Sequence, residues 1–413
     1  MAAQDPVLEL GQLAGHLMGG LFAPAGGAGA PDRQVGAEVE FLVWRGDTGE
    51  VAPVAETLAF LRAYGAPLEW SEGRTPKGTP CVSVPDGGRF TFEPGGQLEY
   101  SAPPFPTASG LLAHLREVLA PLAAAADEAG LLLLTLGLDP VHPPEAAPLQ
   151  LDVERYRAMD AYFAALGTAG ARMMRQTAAF QVSLDLGDQP FLRWTVLNRL
   201  APYLVAIFAN SPRYAGEATG HRSYRASTWC ALDSSRTGIL TEESAPVAGY
   251  LEFALCAPDF LRRTQDGRWL PFAGWVARGG VTVEDWEAHL STLFPEVRPR
   301  GYFEVRSCDA VPLVWHPAPV ALLAGLVYDR DALLAARELV WSSDRELLVR
   351  AGRDGLADPG VARVAVDLWD LALGGCAALG PDYISSADLA VAHEYAERYT
   401  RRGRAPADDA AAS

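Results

Sequence analysis

Residues 35–44 read VGAEVEFLVW, from Val35 to Trp44. Val35, Ala37, Val39, Phe41 and Val43 fall on one parity, Glu38 and Glu40 on the other, which is the period of an extended strand. Such a strand has one face made for a core and one that carries acid. The strand rise separates Glu38 from Glu40 by about 7 Å. Two carboxylates this close raise each other's proton affinity unless a cation lies between them. A solvent-facing strand with incidental acids would read the same way, so the rest of the chain must choose.

Moving outward, a second strand is expected at Arg89 to Phe92. It runs into the turn Glu93-Pro94-Gly95-Gly96 and then Gln97 to Ser101. Thr107 to Ala126 has helical periodicity and is followed by the short apolar strand Leu131 to Leu136. Asp152 to Leu166 is a further helix. Gln176 to Leu186 alternates again, with Phe180, Val182, Leu184 and Leu186 opposed to Gln181, Ser183 and Asp185. Pro190 to Ala209 reads as a helix stopped at Asn210-Ser211-Pro212, and Arg213 to Gly238 as an arginine-rich loop. Tyr302 to Ser307 is a late strand that sets Glu304 and Arg306 on one face. From Ala318 the pattern is helical. Strands dispersed among helices without a regular βαβ alternation predict an α+β fold with a largely antiparallel sheet. The expected organisation is an N-terminal helix from Asp5-Pro6 to about Gly19 and a flexible connector (residues 1–34, with Gly26 to Pro31 the glycine-rich part). A single catalytic domain with a helical C-terminal part follows (35–404), then a disordered tail (405–413).

Composition narrows the function classes. The 413 residues are 49% hydrophobic and 21% charged, a globular balance, and long enough to bury a large core. Acidic residues outnumber basic ones by 51 to 34, for a net charge of −17. That surface repels nucleic acid and anionic lipid, so neither is expected as a partner. A polyanionic substrate would need a local basic lining. Five scattered cysteines without a CxxC pair speak against a disulfide scaffold or a zinc site. No apolar run reaches a membrane span and no basic leader is seen, so a cytoplasmic protein is expected. No interface signature indicates an oligomeric state.

Acids recur where strands are otherwise apolar or neutral: Glu38 and Glu40, Glu93 and Glu99 around the Pro-Gly-Gly turn, and Glu304. Hard oxygen ligands on rigid strands suit magnesium, which takes few carboxylates together with substrate phosphates. Arg222, Arg225 and Arg236 share one loop region, and Arg306 lies two residues from Glu304. Guanidinium groups bind carboxylate and phosphate through paired hydrogen bonds. Trp229 could pack a substrate side chain or belong to the core. GxxxxGK[ST] and Gly-x-Ser-x-Gly are absent, and the histidines form no ligand pair at helical spacing. His289 is expected to order a helix end and Cys308 to be inert.

Taken in order, the segments resemble the plant-type glutamate–cysteine ligase family, including its actinobacterial branch linked to ergothioneine synthesis. The matching pieces are Gly36-Ala37-Glu38-Val39-Glu40, FTFEPGGQLEYS over 90–101, Met173 to Thr177, QVSLDL over 181–186 and FANSP over 208–212. They continue with Ser223-Tyr224-Arg225, Trp229, Asp233, Arg236-Thr237-Gly238, and HLSTLFPEVRPRGYFEVRSCD over 289–309. The resemblance implies a glutamine synthetase-like fold, a curved, mostly antiparallel sheet flanked by helices. It implies ATP, Mg2+, L-glutamate and L-cysteine, joined through a γ-glutamyl phosphate into a dipeptide that feeds glutathione or ergothioneine. It also implies roles: Glu38, Glu40, Glu93, Glu99 and Glu304 as the magnesium shell, and Arg306 as the catalytic, phosphate-binding arginine. Gln181 and Arg236 become ATP contacts, and Arg225 receives the glutamate α-carboxylate with Arg222 and Trp229 beside it. Ser183 stands where plant members usually carry Asn, and Tyr224 and Cys230 alter the loop around Arg225 and Trp229, which bears on the acceptor. Another amine acceptor, or a catalytically silent binding paralogue, are the alternatives.

Overall fold

The computed structural model describes residues 9–24 and 33–410. Its centre is a nine-stranded sheet built on β1 (Val35–Arg45), with β2 (Ser71–Arg74), β3 (Pro80–Ser83), β4 (Arg89–Phe92), β5 (Leu98–Ser101), β6 (Leu131–Leu134), β7 (Phe180–Asp185), β8 (Val297–Pro299) and β9 (Tyr302–Val305). The order is β8-β9-β7-β1-β5-β4-β3-β2, and β6 pairs with the second half of β1. Every pairing in the sheet is antiparallel. The expected α+β class is therefore what the chain adopts.

The register explains the alternation. Val39 stands between Tyr100 and Phe180, Phe41 opposite Leu98, Ala37 opposite Val182 and Phe303 opposite Leu184. These side chains are buried and continue through Phe90 and Phe92 into one core. Directly opposed residues share a face, so the sheet has one apolar face, which packs on the helices Ala108–Glu128 and Pro317–Tyr328. Every residue of Pro317–Tyr328 is buried. It crosses the helix Pro359–Leu379 at Gly325 and Gly375, where a Cβ on either would come within 2.1 Å of a backbone oxygen of the other helix. Only glycine permits that approach.

Several expectations are corrected. The segment 213–238 is not all loop: Tyr224–Cys230 is helical because Ser223 caps it, its side chain accepting from Ala226 N. The hairpin β2–β3 and the short β8 lack the alternating pattern that marks their neighbours. The tail is docked as far as residue 410. Ala405 and Ala407 are buried against Ala209, and Asp409 accepts from Tyr399 Oη and Arg404 Nη2. Small side chains and an acid with basic partners bind it where composition alone suggested disorder. Near the other end, Leu10–His16 is helical, and a π-helical turn, Leu17–Leu21, carries it on. The first eight residues and the connector Gly26 to Pro31 lie outside the described residues. His289, in the last turn of the helix Val283–Leu290, sets its Nε2 2.8 Å from Ala254 O and so orders the end of the neighbouring helix Pro246–Cys256. Among the described residues no helix is long and apolar enough to cross a membrane.

Candidate active site

The second face of the sheet is polar. Glu40 stands opposite Glu99, which stands opposite Thr91; Glu38 lies between Ser101 and Gln181; Glu304 faces Ser183 on one side and Arg298 on the other. Glu93 follows β4 with the parity of Thr91. Its turn is closed by Glu93 N to Gln97 O and Gly96 N to Glu93 O, both 2.9 Å. Gly95 is obligatory there, since a Cβ would lie 2.2 Å from Arg175 O. The five glutamates thus come to one face from four stretches of the chain, two of them from β1.

Their electrostatics divide them. Burial, then the neighbouring carboxylates, pushes the Glu40 carboxyl up to about 7 and Glu99 to about 8, and raises Glu38 well above the ordinary range. Glu40 accepts from Ala179 N (2.8 Å) and Gln181 Nε2 (2.7 Å), and Glu99 from Thr91 Oγ1 (2.8 Å); no ion pair reaches Glu38, Glu40, Glu93 or Glu99 among the described residues. Glu304 is the opposite case. It is fully buried and lies 3.1 Å from Arg298, 2.9 Å from Arg300 and 2.8 Å from Arg306. Burial would raise it, yet the three guanidinium groups hold it down at about 2.

A hydrogen-bonded relay crosses the strands. Gln181 Nε2 donates to Glu40, Arg306 Nη1 donates to Gln181 Oε1 (2.7 Å) and to Glu304 Oε2, and Arg225 Nη2 donates to Arg306 O (3.0 Å). Arg225, Trp229, Glu296 and Arg306 line a narrow crevice that opens beside this relay. Arg306 Cζ lies 5.8 Å from the Trp229 ring centroid. Arg225 is buried, and its Nε and the Trp229 Nε1 have no partner.

Two sequence-predicted residues are not brought here. Arg222 turns away to Asp408 in the C-terminal segment, 2.7 Å from it. Arg236 is fully buried. Its Nε pairs with Asp233 at 3.1 Å, Nη1 donates to Thr292, Nη2 donates to Pro258 O, and the group stacks over Tyr162 and Phe260. With its donors satisfied in the core, it has none left for a phosphate. Spacing in a loop could not separate these two arginines from Arg225, because a helix and a cap intervene.

Conversely, sequence reasoning passed over Arg298 and Arg300, although they continue the parity of Glu304 and Arg306 through a hairpin. It also passed over Lys77, the only lysine in the sequence. Lys77 sits in the β2–β3 turn, which Thr75 N to Thr79 O closes at 2.9 Å. Following the β3–β4 register outward from Ser83↔Arg89 sets Thr79 beside Glu93. Lys77 stays exposed at this turn; partial desolvation of its ammonium there, then Arg155, lowers it to about 8 against the pull of Glu93. The basic lining that the net charge demanded is therefore Lys77, Arg155, Arg298, Arg300 and Arg306.

The acidic residues fit magnesium by chemistry: oxygen donors on rigid strands, crowded and short of counter-charge. Among the described residues, however, no three acidic, histidine or cysteine groups are disposed to cage one ion.

Residues 34–412 match the family described as Glutamate-cysteine ligase family 2 (GCS2). The chain is 36% identical over 346 residues to the glutamate–cysteine ligase EgtA of Mycolicibacterium smegmatis, covering 79% of this chain and 78% of that one. It is 37% identical over 358 residues to EgtA of Mycobacterium tuberculosis, covering 79% and 77%. With the chloroplastic glutamate–cysteine ligase of Arabidopsis thaliana it shares 29% over 336 residues, covering 76% and 64%. Among solved structures, the ligase PafA in complex with the ubiquitin-like protein Pup aligns at a TM-score of 0.43 and 12% identity, covering 90% of this chain and 64% of that one. That likeness is too distant to carry an argument.

Proposed function

Because the chain belongs to the glutamate–cysteine ligase family, we propose that it uses ATP to join the γ-carboxylate of L-glutamate to the amine of L-cysteine. The observation that carries this is the polar sheet face. Carboxylates without an ion-pair partner among the described residues (Glu38, Glu40, Glu93, Glu99) adjoin a basic bank (Lys77, Arg155, Arg298, Arg300, Arg306). A triphosphate accompanied by a divalent cation satisfies both halves at once. A silent paralogue would have no use for such carboxylates, which cost stability in the absence of a ligand.

In this reading Glu38, Glu40, Glu93 and Glu99 hold magnesium. Glu304 joins them only if Arg300, the most exposed of its three partners, moves aside. Bound magnesium would supply charge neutralisation between the phosphates and these acids. Arg225 takes the glutamate α-carboxylate in the crevice. The γ-carboxylate oxygen then attacks the terminal phosphorus of ATP, the bond to ADP breaks, and an acyl phosphate forms. Arg306, at the junction of crevice and polar face, stabilises charge on the transferring group. Attack by the cysteine amine on the acyl carbon expels phosphate, and the amine gives up its proton. Gln181 holds Arg306 in line with Glu40 rather than meeting the nucleotide directly.

The test is ATP-dependent phosphate release with glutamate and a panel of amines, products identified by mass spectrometry. An acceptor pocket that merely fills space around one small group discriminates by about 10–200-fold. Cysteine should be preferred, with 2-aminobutyrate the best substitute and serine and alanine behind. If cysteine is not the best of the four, the acceptor assignment fails and another amine takes its place.

A further inference from the structure

Glu296 is the one charged group of the crevice that the reading above leaves without work. Arg306 N donates to Glu296 O at 2.9 Å, and Val297 pairs with Val305, so Glu296 stands opposite Arg306 with the parity of Arg298 and Glu304. Its side chain lines the crevice with those of Arg225, Trp229 and Arg306. Two guanidinium groups are therefore its neighbours, yet among the described residues its carboxylate makes neither an ion pair nor a hydrogen bond. The arginines are engaged elsewhere: Arg306 with Glu304 and Gln181, and Arg225 with Arg306 O and, at 3.8 Å, Asp309. In the same lining, the buried Arg225 Nε and the Trp229 Nε1 lack acceptors.

A half-buried acid without a donor and buried donors without an acceptor, in one small crevice, are complementary to a zwitterion. We infer that Glu296 binds the α-ammonium group of the amino-acid substrate whose α-carboxylate lies on Arg225. A plain dicarboxylate would satisfy the arginine and leave Glu296 facing another anion. The charges of the crevice are thus those of an α-amino-acid site, with Glu296 the acid among them; its free volume without a ligand is about 10 Å³, so its side chains must part to admit one. The inference rests on reading this crevice as the glutamate site.

The test compares glutamate with glutarate, which has both carboxylates and no amine. Binding of each is measured calorimetrically to the full chain and to Glu296→Gln, with magnesium and a non-hydrolysable ATP analogue. A hydrogen-bonded contact to a charged group corresponds to about 10- to 100-fold in affinity, and that loss is expected for glutamate in Glu296→Gln. The affinity for glutarate should stay within about threefold or rise, since a repulsive charge is removed. Glu296→Asp, which keeps the charge on a shorter stem, should fall between wild type and Glu296→Gln, and it serves if the amide variant does not fold. Equal losses for both ligands would overturn the inference, since Glu296 would then only shape the crevice. So would an unchanged glutamate affinity, or a wild-type chain that binds no glutamate. The ligase reading stands or falls separately, on glutamate-dependent phosphate release by the wild type.

Discussion

Raising the pH should destabilise the metal-free protein, and magnesium should undo it. Glu38, Glu40 and Glu99 hold protons in the fold because burial, then neighbouring carboxylates, disfavours their ionised forms. In the unfolded chain the same groups titrate near 4.5. Between those values the folded chain carries more protons than the unfolded one, so stability falls as pH rises. The contribution is complete below the unfolded value and is lost through about 7 for Glu40 and about 8 for Glu99. A tenfold change in proton affinity is worth about 1.4 kcal/mol, so ionising Glu40 in the fold costs on the order of 3 kcal/mol and Glu99 about 5. The two stand opposite each other and titrate as a pair, so the combined loss between about pH 5 and 9 should be ~3–5 kcal/mol. Urea unfolding followed by tryptophan fluorescence in a chelator, repeated at each pH, measures it. Glu99→Gln replaces a proton-holding carboxyl by a neutral amide of the same shape and should flatten the slope by about half. Millimolar magnesium, which needs the ionised forms, should restore stability most at the alkaline end. Stability that is level or rises with pH in chelator would refute the reasoning. So would a slope that neither Glu99→Gln nor magnesium changes.

Three further expectations follow from the placement of the cations. Arg306→Ala should lower kcat by about 100- to 1000-fold, because its partner is charge on the transferring group, whereas Arg225→Ala should mainly raise KM for glutamate. Steady-state kinetics on both substrates would show equal effects if that division is wrong. Lys77 carries the chain's only ε-amine, so after an amine-directed acylating reagent peptide mass spectrometry reads its modification in one peptide, apart from that of the N-terminal amine. ATP with magnesium should slow its modification by about fivefold or more, and unchanged labelling would remove Lys77 from the phosphate site. Arg236→Ala should destabilise by about 3–5 kcal/mol in urea unfolding, since it takes the charge partner from Asp233 and the donor from the Thr292 and Pro258 carbonyls; KM for ATP should stay within about twofold in the molecules that remain folded.

The alternation in 35–44 and 181–186 was enough to place β1 and β7, to assign their faces and to bring Glu38, Glu40 and Gln181 onto one side. A period of two is a property of the backbone and needs no partner strand to be read. The same holds for Glu304 and Arg306, whose parity survives any register that keeps the apolar face inside. The ordered set of motifs carried the family.

What parity cannot supply is who neutralises whom. Glu304 and Glu99 look alike along the chain, yet three arginines surround one and other acids surround the other, so burial acts on them in opposite directions. Arg222, Arg225 and Arg236 fall within 15 residues. The cap at Ser223 and the helix after it aim Arg225 alone at the crevice, while the tail takes Arg222 and the core takes Arg236. Lys77 and Glu296 sit on a short hairpin and next to a short edge strand, with no periodicity to single them out. They matter because the sheet register carries Lys77 to Glu93, and the β8–β9 pairing sets Glu296 against Arg306. Faces are local and the sequence by itself determined them; charge pairing depends on distances between segments far apart in the chain, and only the tertiary structure decided it.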